Sequence, residues 1–174
     1  MRSFRLLVIT SLSVVAFIAS CTIVVSISDR PPKEDKIVSD FRAHRASYER
    51  LRAMVSEDKG VEGVAPWGIQ PEGSPIWKVP PDGGMPVKRY QEYLALLKEI
   101  GASRVDRGGD DPLDVSFGTW GSGWGGDTRH LEITRLERKP ANTVISLDAF
   151  YRTDKPRTPS YVHIDGNWYI WADW

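Results

Sequence analysis

Leu6 to Ile27 is an unbroken run of 22 residues without a charge, preceded by Arg2 and Arg5. At the helical rise it would reach roughly 33 Å, about the thickness of a bilayer's hydrocarbon core. Few soluble folds tolerate such a run at a chain end. In lipid the backbone must satisfy its own hydrogen bonds, so β-branched Val14, Val15, Ile23 and Val24 are no obstacle to a helix there. The expectation for residues 1–28 is a membrane anchor or signal segment, with a polar spacer over 29–36 and a soluble domain over 37–174.

The anchor's chemistry stays open between three forms. One is a single transmembrane helix. Another is a cleaved secretory signal, with a basic start, an apolar middle and small residues near Ser20. The third rests on Ile18-Ala19-Ser20-Cys21, which resembles a bacterial lipobox; that resemblance implies acylation of Cys21. Thr22-Ile23-Val24-Val25 departs from the polar stretch that usually follows such a cysteine. Arg30, Lys33 and Lys36 after the run nearly balance the positive charges before it. The absence of acids before the run and the signal-like layout favour a periplasmic or extracellular domain.

Past Ser28 there are 146 residues, the size of one ordinary domain. They carry 21 basic and 23 acidic side chains. No basic field exists to attract nucleic acid. Cys21 is the only cysteine, so the domain has neither a disulfide nor a thiolate metal site. All seven tryptophans lie at or beyond Trp67. Rings of that size either fill a core or line a groove for sugar, peptide or another apolar partner.

Periodicity divides the domain. Ile37, Phe41, His44, Tyr48, Leu51 and Val55 recur at alternating steps of four and three, which predicts one helix from Lys36 to about Glu57. Val61 to Met85 is dense in proline and glycine, and only a short strand near Val61–Trp67 fits it. Pro86 to Ile100 reads as a helix stopped by Gly101, with a stripe of Val87, Tyr90, Leu94 and Leu97 flanked by Tyr93 and Ile100. The period then changes to two. Arg104–Arg107, Val115-Phe117-Thr119 and Leu131-Ile133 read as antiparallel strands. In Asn142–Tyr151, Val144, Leu147 and Tyr151 fit a helix while Ile145, Leu147, Ala149 and Tyr151 fit a strand; the reading taken is a short helix capped near Asn142. A final hairpin joins Tyr161–Ile164 to Trp168–Trp171. A three-residue loop there puts Val162, Ile164, Trp168 and Ile170 on one face, with Tyr161, His163, Tyr169 and Trp171 on the other.

The expected fold class is therefore α+β: an N-terminal membrane helix, then two helices packed on a four- to five-stranded antiparallel sheet. The element order resembles cystatin-like and inhibitor-like exported bacterial domains. Leu147-Asp148-Ala149-Phe150-Tyr151-Arg152, together with His163-Ile164-Asp165-Gly166-Asn167-Trp168-Tyr169-Ile170-Trp171, resembles a family of small, uncharacterised, membrane-anchored bacterial proteins. That resemblance covers about half of the soluble part. It implies the anchor-plus-domain layout and brings no activity with it.

No catalytic motif stands out. Gly121-Ser122-Gly123-Trp124-Gly125-Gly126 matches G-x-G-x-x-G in letters, but a strand pattern follows where a dinucleotide site needs a helix. The three histidines show no metal-ligand spacing. No cofactor and no metal are expected. The favoured function is non-enzymatic binding of a partner protein or envelope component, with Trp120, Trp124, Arg129, His130, Tyr169 and Trp171 as candidate binding residues. Two alternatives stand beside it: a toxin-immunity or inhibitor protein, and an envelope hydrolase using His130 or His163 as base with Asp127 nearby.

Overall fold

The computed structural model describes residues 31–108, 111, 113–122, 129–151 and 159–173. From Pro32 onward they belong to one compact unit. The Leu6–Ile27 run and Cys21 lie outside the described residues. Among the described residues, no helix is long and apolar enough to cross a membrane.

Two helices open the unit, α1 (Glu34–Ala43) and α2 (Arg45–Glu57). The sequence predicts one helix here, and His44 breaks it. Its backbone turns to φ −114°, ψ 18°. Its N–H still reaches the Asp40 and Phe41 carbonyls, and its own carbonyl accepts from Ser47 and Tyr48. The apolar seam therefore runs through the kink: Ile37, Phe41, Tyr48, Leu51 and Val55 are all buried, and only His44 is not.

Next comes a hairpin of β1 (Val61–Ala65) and β2 (Gly68–Pro71), followed by α3 (Val87–Ile100). Gly101 ends α3 in the left-handed region at φ 67°. The Gly101 N–H bonds the Lys98 carbonyl and the Ala102 N–H the Leu97 carbonyl, the paired closure of a Schellman cap. The buried stripe of α3 is rotated from the expected one. Tyr93, Leu97 and Ile100 are buried, whereas Val87 is 49% exposed. Arg89 ties α3 to the end of α2, with Nε 2.8 Å from Asp58 and Nη2 2.8 Å from Glu57. Burial works against the Arg89 charge, but the bonds to Asp58 and Glu57 outweigh it and hold its pKa above the ordinary value.

The remaining elements are β3 (Arg104–Arg107), β4 (Val115–Ser122), β5 (Arg129–Arg135), β6 (Thr143–Val144), α4 (Leu147–Phe150), β7 (Ser160–Asp165) and β8 (Trp168–Asp173). All strands join one sheet in the order β2-β1-β3-β4-β5-β8-β7-β6. Every pair is antiparallel except β6 with β7, which is parallel. Among the described residues, the expected four- to five-stranded antiparallel sheet with two helices and a membrane helix is thus corrected to an eight-stranded mixed sheet with four helices, none of them able to cross a membrane. The missed strands are short. β2 has four residues, including a glycine and a proline, and β6 has two. The expected helix at Asn142–Tyr151 divides into β6 and α4, with Ser146 rather than Asn142 capping α4 through the Ala149 N–H.

Strand partners point to the same face, so the register fixes the core. One row crosses the sheet as Ile69, Val64, Val105, Phe117, Ile133, Ile170 and Val162. Each of these is buried. Phe41 and Tyr48 from the helices meet this face around Trp168. Ring centroids are 5.1 Å apart for Phe41–Trp168 and 5.0 Å for Tyr48–Phe117. The Trp168 indole N–H donates to Glu49 Oε1 at 3.1 Å.

The last hairpin corrects one expectation and keeps another. Its loop is two residues, Gly166-Asn167, because Asp165 pairs with Trp168. With no irregularity, that loop would turn His163 toward the core. A bulge between His163 and Asp165 restores the register, so that Val162 pairs with Ile170 and both are buried. Burial of the apolar set decided the register, and the backbone accommodated it through the bulge.

Candidate functional site

The register that buries one face assigns the other. Gly63, Asp106, Ser116, Thr134, Tyr169 and His163 form one row across it. Arg104, Gly118, Glu132, Trp171 and Tyr161 form the next. Between these rows and the proline-rich segment lies a trough of about 560 Å³. That volume falls in the range of small-molecule sites.

The floor is an ion network held by strand alternation. Arg104 and Asp106 stand two residues apart on β3 and so share a face. Arg104 Nε lies 2.5 Å from Asp106 Oδ2, and Nη2 donates to Glu132 Oε1 at 2.8 Å. The guanidinium thus spans β4 to reach a partner on β5, and it crosses at Gly118. A Cβ at Gly118 would stand 3.2 Å from Arg104 Cγ and 2.9 Å from Ser103 Oγ. Glycine is what leaves room for the crossing.

Charge on the floor is unevenly matched. Asp106 is 23% exposed and Glu132 11% exposed, and Glu62 also lines the trough. Burial pushes the Asp106 carboxyl up, Arg104 opposes, and the charges of Glu132 and Glu62 push it further, to about 6. Burial works against the Arg104 charge, but Asp106 and Glu132 outweigh it and hold its pKa above the ordinary value. Three carboxylates against Arg104 and Arg107 in the lining leave a surplus of one negative charge.

Aromatic rings stand at both ends. At the β1 end, Trp77 packs over Gly63. A Cβ there would meet Trp77 Cη2 at 3.1 Å and Asp106 Oδ1 at 2.6 Å. The segment carrying Trp77 folds back onto the hairpin: Ile69 and Lys78 exchange two backbone hydrogen bonds of 2.8 Å. At the far end, Trp171 and Tyr161 face the trough as cross-strand partners. Hydroxyls lie between the ends, with Ser116 Oγ donating to Thr134 Oγ1 at 3.1 Å.

The residues singled out from sequence are dispersed by the fold. Trp171 lines the trough. Tyr169 shares its face but is 5% exposed, edge-on to Tyr161 and His163. His130 is opposite Asp173 on the same face, one row beyond Trp171. Arg129 is exposed at the start of β5. Trp120 pairs with Leu131, whose face is the buried one, and packs against the core. Trp124, Asp127 and most of the glycine-rich stretch lie outside the described residues. His130 and His163 stand two strands and four positions apart, on the order of 15 Å. The His163 ring nitrogen Nε2 donates to the Gly166 carbonyl at 2.9 Å. Among the described residues, no group of three or more His, Cys, Asp or Glu is placed to hold a metal ion.

Sequence reasoning missed Arg104, Asp106, Glu132 and Trp77. A signal existed for the first three. Charged residues alternate with apolar ones on β3 and β5, and both strands prove to be interior, where a charge needs a partner across the sheet. Trp77 carried no such signal, because its segment follows neither period. No protein-family model, curated protein or solved structure matches the chain.

Proposed function

We propose that this chain is a membrane-attached, non-enzymatic binding domain, held at the membrane through residues 6–27 and facing the periplasm or cell exterior. Its open sheet face engages a partner protein or a component of the envelope. The observation that carries the reading is the trough itself. An eight-stranded sheet packs all its apolar row against helices on one side, while the other side gathers rings, hydroxyls and a fixed ion network. A sheet face that only met water would not need a guanidinium threaded over a glycine to a carboxylate two strands away. The uncharged run and the lipobox-like Cys21 support attachment at a membrane.

Binding is favoured over hydrolysis because neither His130 nor His163 lines the trough, and His163 is engaged by its own hairpin. The reading is tested by site-specific photo-crosslinking of the full chain in native envelopes. A photoreactive residue replaces Ser116 on the open face or Glu99 on α3. Adducts from position 116 and none from position 99 are expected. Equal yields from both positions, or none from 116, would reject the reading.

A further inference from the structure

The ligand class can be narrowed from the shape and charge of the trough, an inference that rests on the binding role just proposed. We infer that the trough takes a neutral oligosaccharide, laid across the strands with sugar rings on Trp77 at one end and Trp171 at the other.

Spacing comes first. Trp77 packs over Gly63 on β1, and Trp171 is on β8. β3, β4 and β5 lie between, so four strand spacings separate the ends, roughly 19 Å. Two tryptophans that far apart cannot sandwich one ring. They suit separate parts of an elongated ligand. A pyranose presents an apolar C–H face and a polar rim of hydroxyls. The C–H face buries area on an indole. The rim requires donors and acceptors in fixed directions.

The floor provides both kinds. Arg104 offers N–H donors, while Asp106 and Glu132 offer acceptor oxygens. Each is already held by another, so little side-chain freedom is lost when a ligand arrives. Gly63 and Gly118 lower the floor, because a Cβ at either would occupy space now used by the network or by Trp77.

Charge and direction remove the competing ligands. Glu62, Asp106 and Glu132 outnumber Arg104 and Arg107, the two cations of the lining, and Arg107 spends one N–H on the Val55 carbonyl at 2.6 Å. An acidic sugar or a phosphate would enter a field of its own sign. An extended peptide lying across the strands would find no main-chain partners, since the interior strands already spend their N–H and C=O groups on each other. A sugar needs none.

The experiment is calorimetric titration of the full chain in polyoxyethylene micelles, which carry no sugar headgroup. The probes are cellotetraose, maltotetraose, tetra-N-acetylchitotetraose and tetragalacturonate. At least one neutral tetrasaccharide should saturate the protein below about 1 mM, with tetragalacturonate at least about tenfold weaker. W77A and W171A should each weaken that binding by about tenfold or more. Near-UV circular dichroism of the buried Trp168 cluster checks that each variant is folded. Absence of saturation by every neutral probe, tighter binding of tetragalacturonate, or indifference of folded W77A and W171A would overturn the inference. If no sugar binds while crosslinks from position 116 persist, only the ligand class fails. If those crosslinks are absent too, the binding role fails with it.

Discussion

Replacing Asp106 by asparagine keeps the side chain's shape and removes its charge. The ordinary expectation for breaking an ion pair is a loss of stability. Here the fold indicates the reverse near neutrality. Asp106 has its carboxyl raised to about 6 by burial and by neighbouring carboxylates, although Arg104 stands 2.5 Å away. In the unfolded chain the same group titrates near 4. Between about pH 4 and pH 6 the folded protein therefore holds a proton that the unfolded chain has released. The folded state binds more protons in this window, so this residue's contribution falls as pH rises through it. About two units at 1.36 kcal/mol each is roughly 3 kcal/mol. Partial exposure of the side chain, 23%, reduces this to the order of 2 kcal/mol. The substituted asparagine never ionises and escapes that penalty. Urea unfolding of the full chain in non-ionic micelles, followed by tryptophan fluorescence, measures both proteins at pH 4, 5, 6 and 7. The stability of D106N relative to wild type should climb by on the order of 2 kcal/mol from pH 4 to pH 7. Other titrating groups are common to both proteins and cancel in the difference. A flat difference, or one that falls with pH, would refute the reasoning, because Arg104 would then be favouring the charge by at least as much as burial disfavours it.

Three further outcomes are expected. W168A empties the space between Phe41, Tyr48 and Phe117 and leaves Glu49 without its indole donor; it should cost about 3–5 kcal/mol by urea unfolding, and a loss under 1 kcal/mol would contradict the packing. G118V puts a side chain against Ser103 and Arg104; displacing Arg104 leaves Glu132 buried without its cation, and a loss of about 1–3 kcal/mol is expected by the same assay. R45A removes the hydrogen bond and charge that hold the Asp165 carboxyl below its ordinary pKa; a carboxyl titration followed by NMR should show Asp165 rising, and an unchanged midpoint would remove Arg45 as the cause.

Elements with a strong period and clear punctuation were legible in the sequence. Pro86 and Gly101 bracket α3 because a proline lacks the N–H that the first turn leaves unbonded and a glycine can close a left-handed cap. Val115-Phe117 and Leu131-Ile133 alternate because one face of their strands meets the helices. What failed was decided by tertiary contact. No glycine or proline marks the break at His44. β2 and β6 are too short to show a period, and each becomes a strand only by pairing with β1 or β7. Burial alone favours a three-residue loop at Asp165-Gly166-Asn167, but a bulge after His163 solves the same problem with two. The candidate site was the least legible part. Tryptophan abundance pointed toward a groove, yet Trp120 and Trp171 fall on opposite faces of the sheet. Arg104 and Glu132 are 28 residues apart, and nothing local announces that they meet across Gly118.

A binding face must be covered where the protein works. Hydroxyl-radical footprinting of the full chain reads this directly, since tryptophan and tyrosine are readily oxidised when water reaches them. Native envelopes are compared with the purified chain in micelles. Trp77, Trp171 and Tyr161 should be protected in envelopes, while Val87 and Ile145, which are 49% and 100% exposed and do not line the trough, should oxidise equally in both. Equal oxidation of the trough rings in envelopes and micelles would contradict the account.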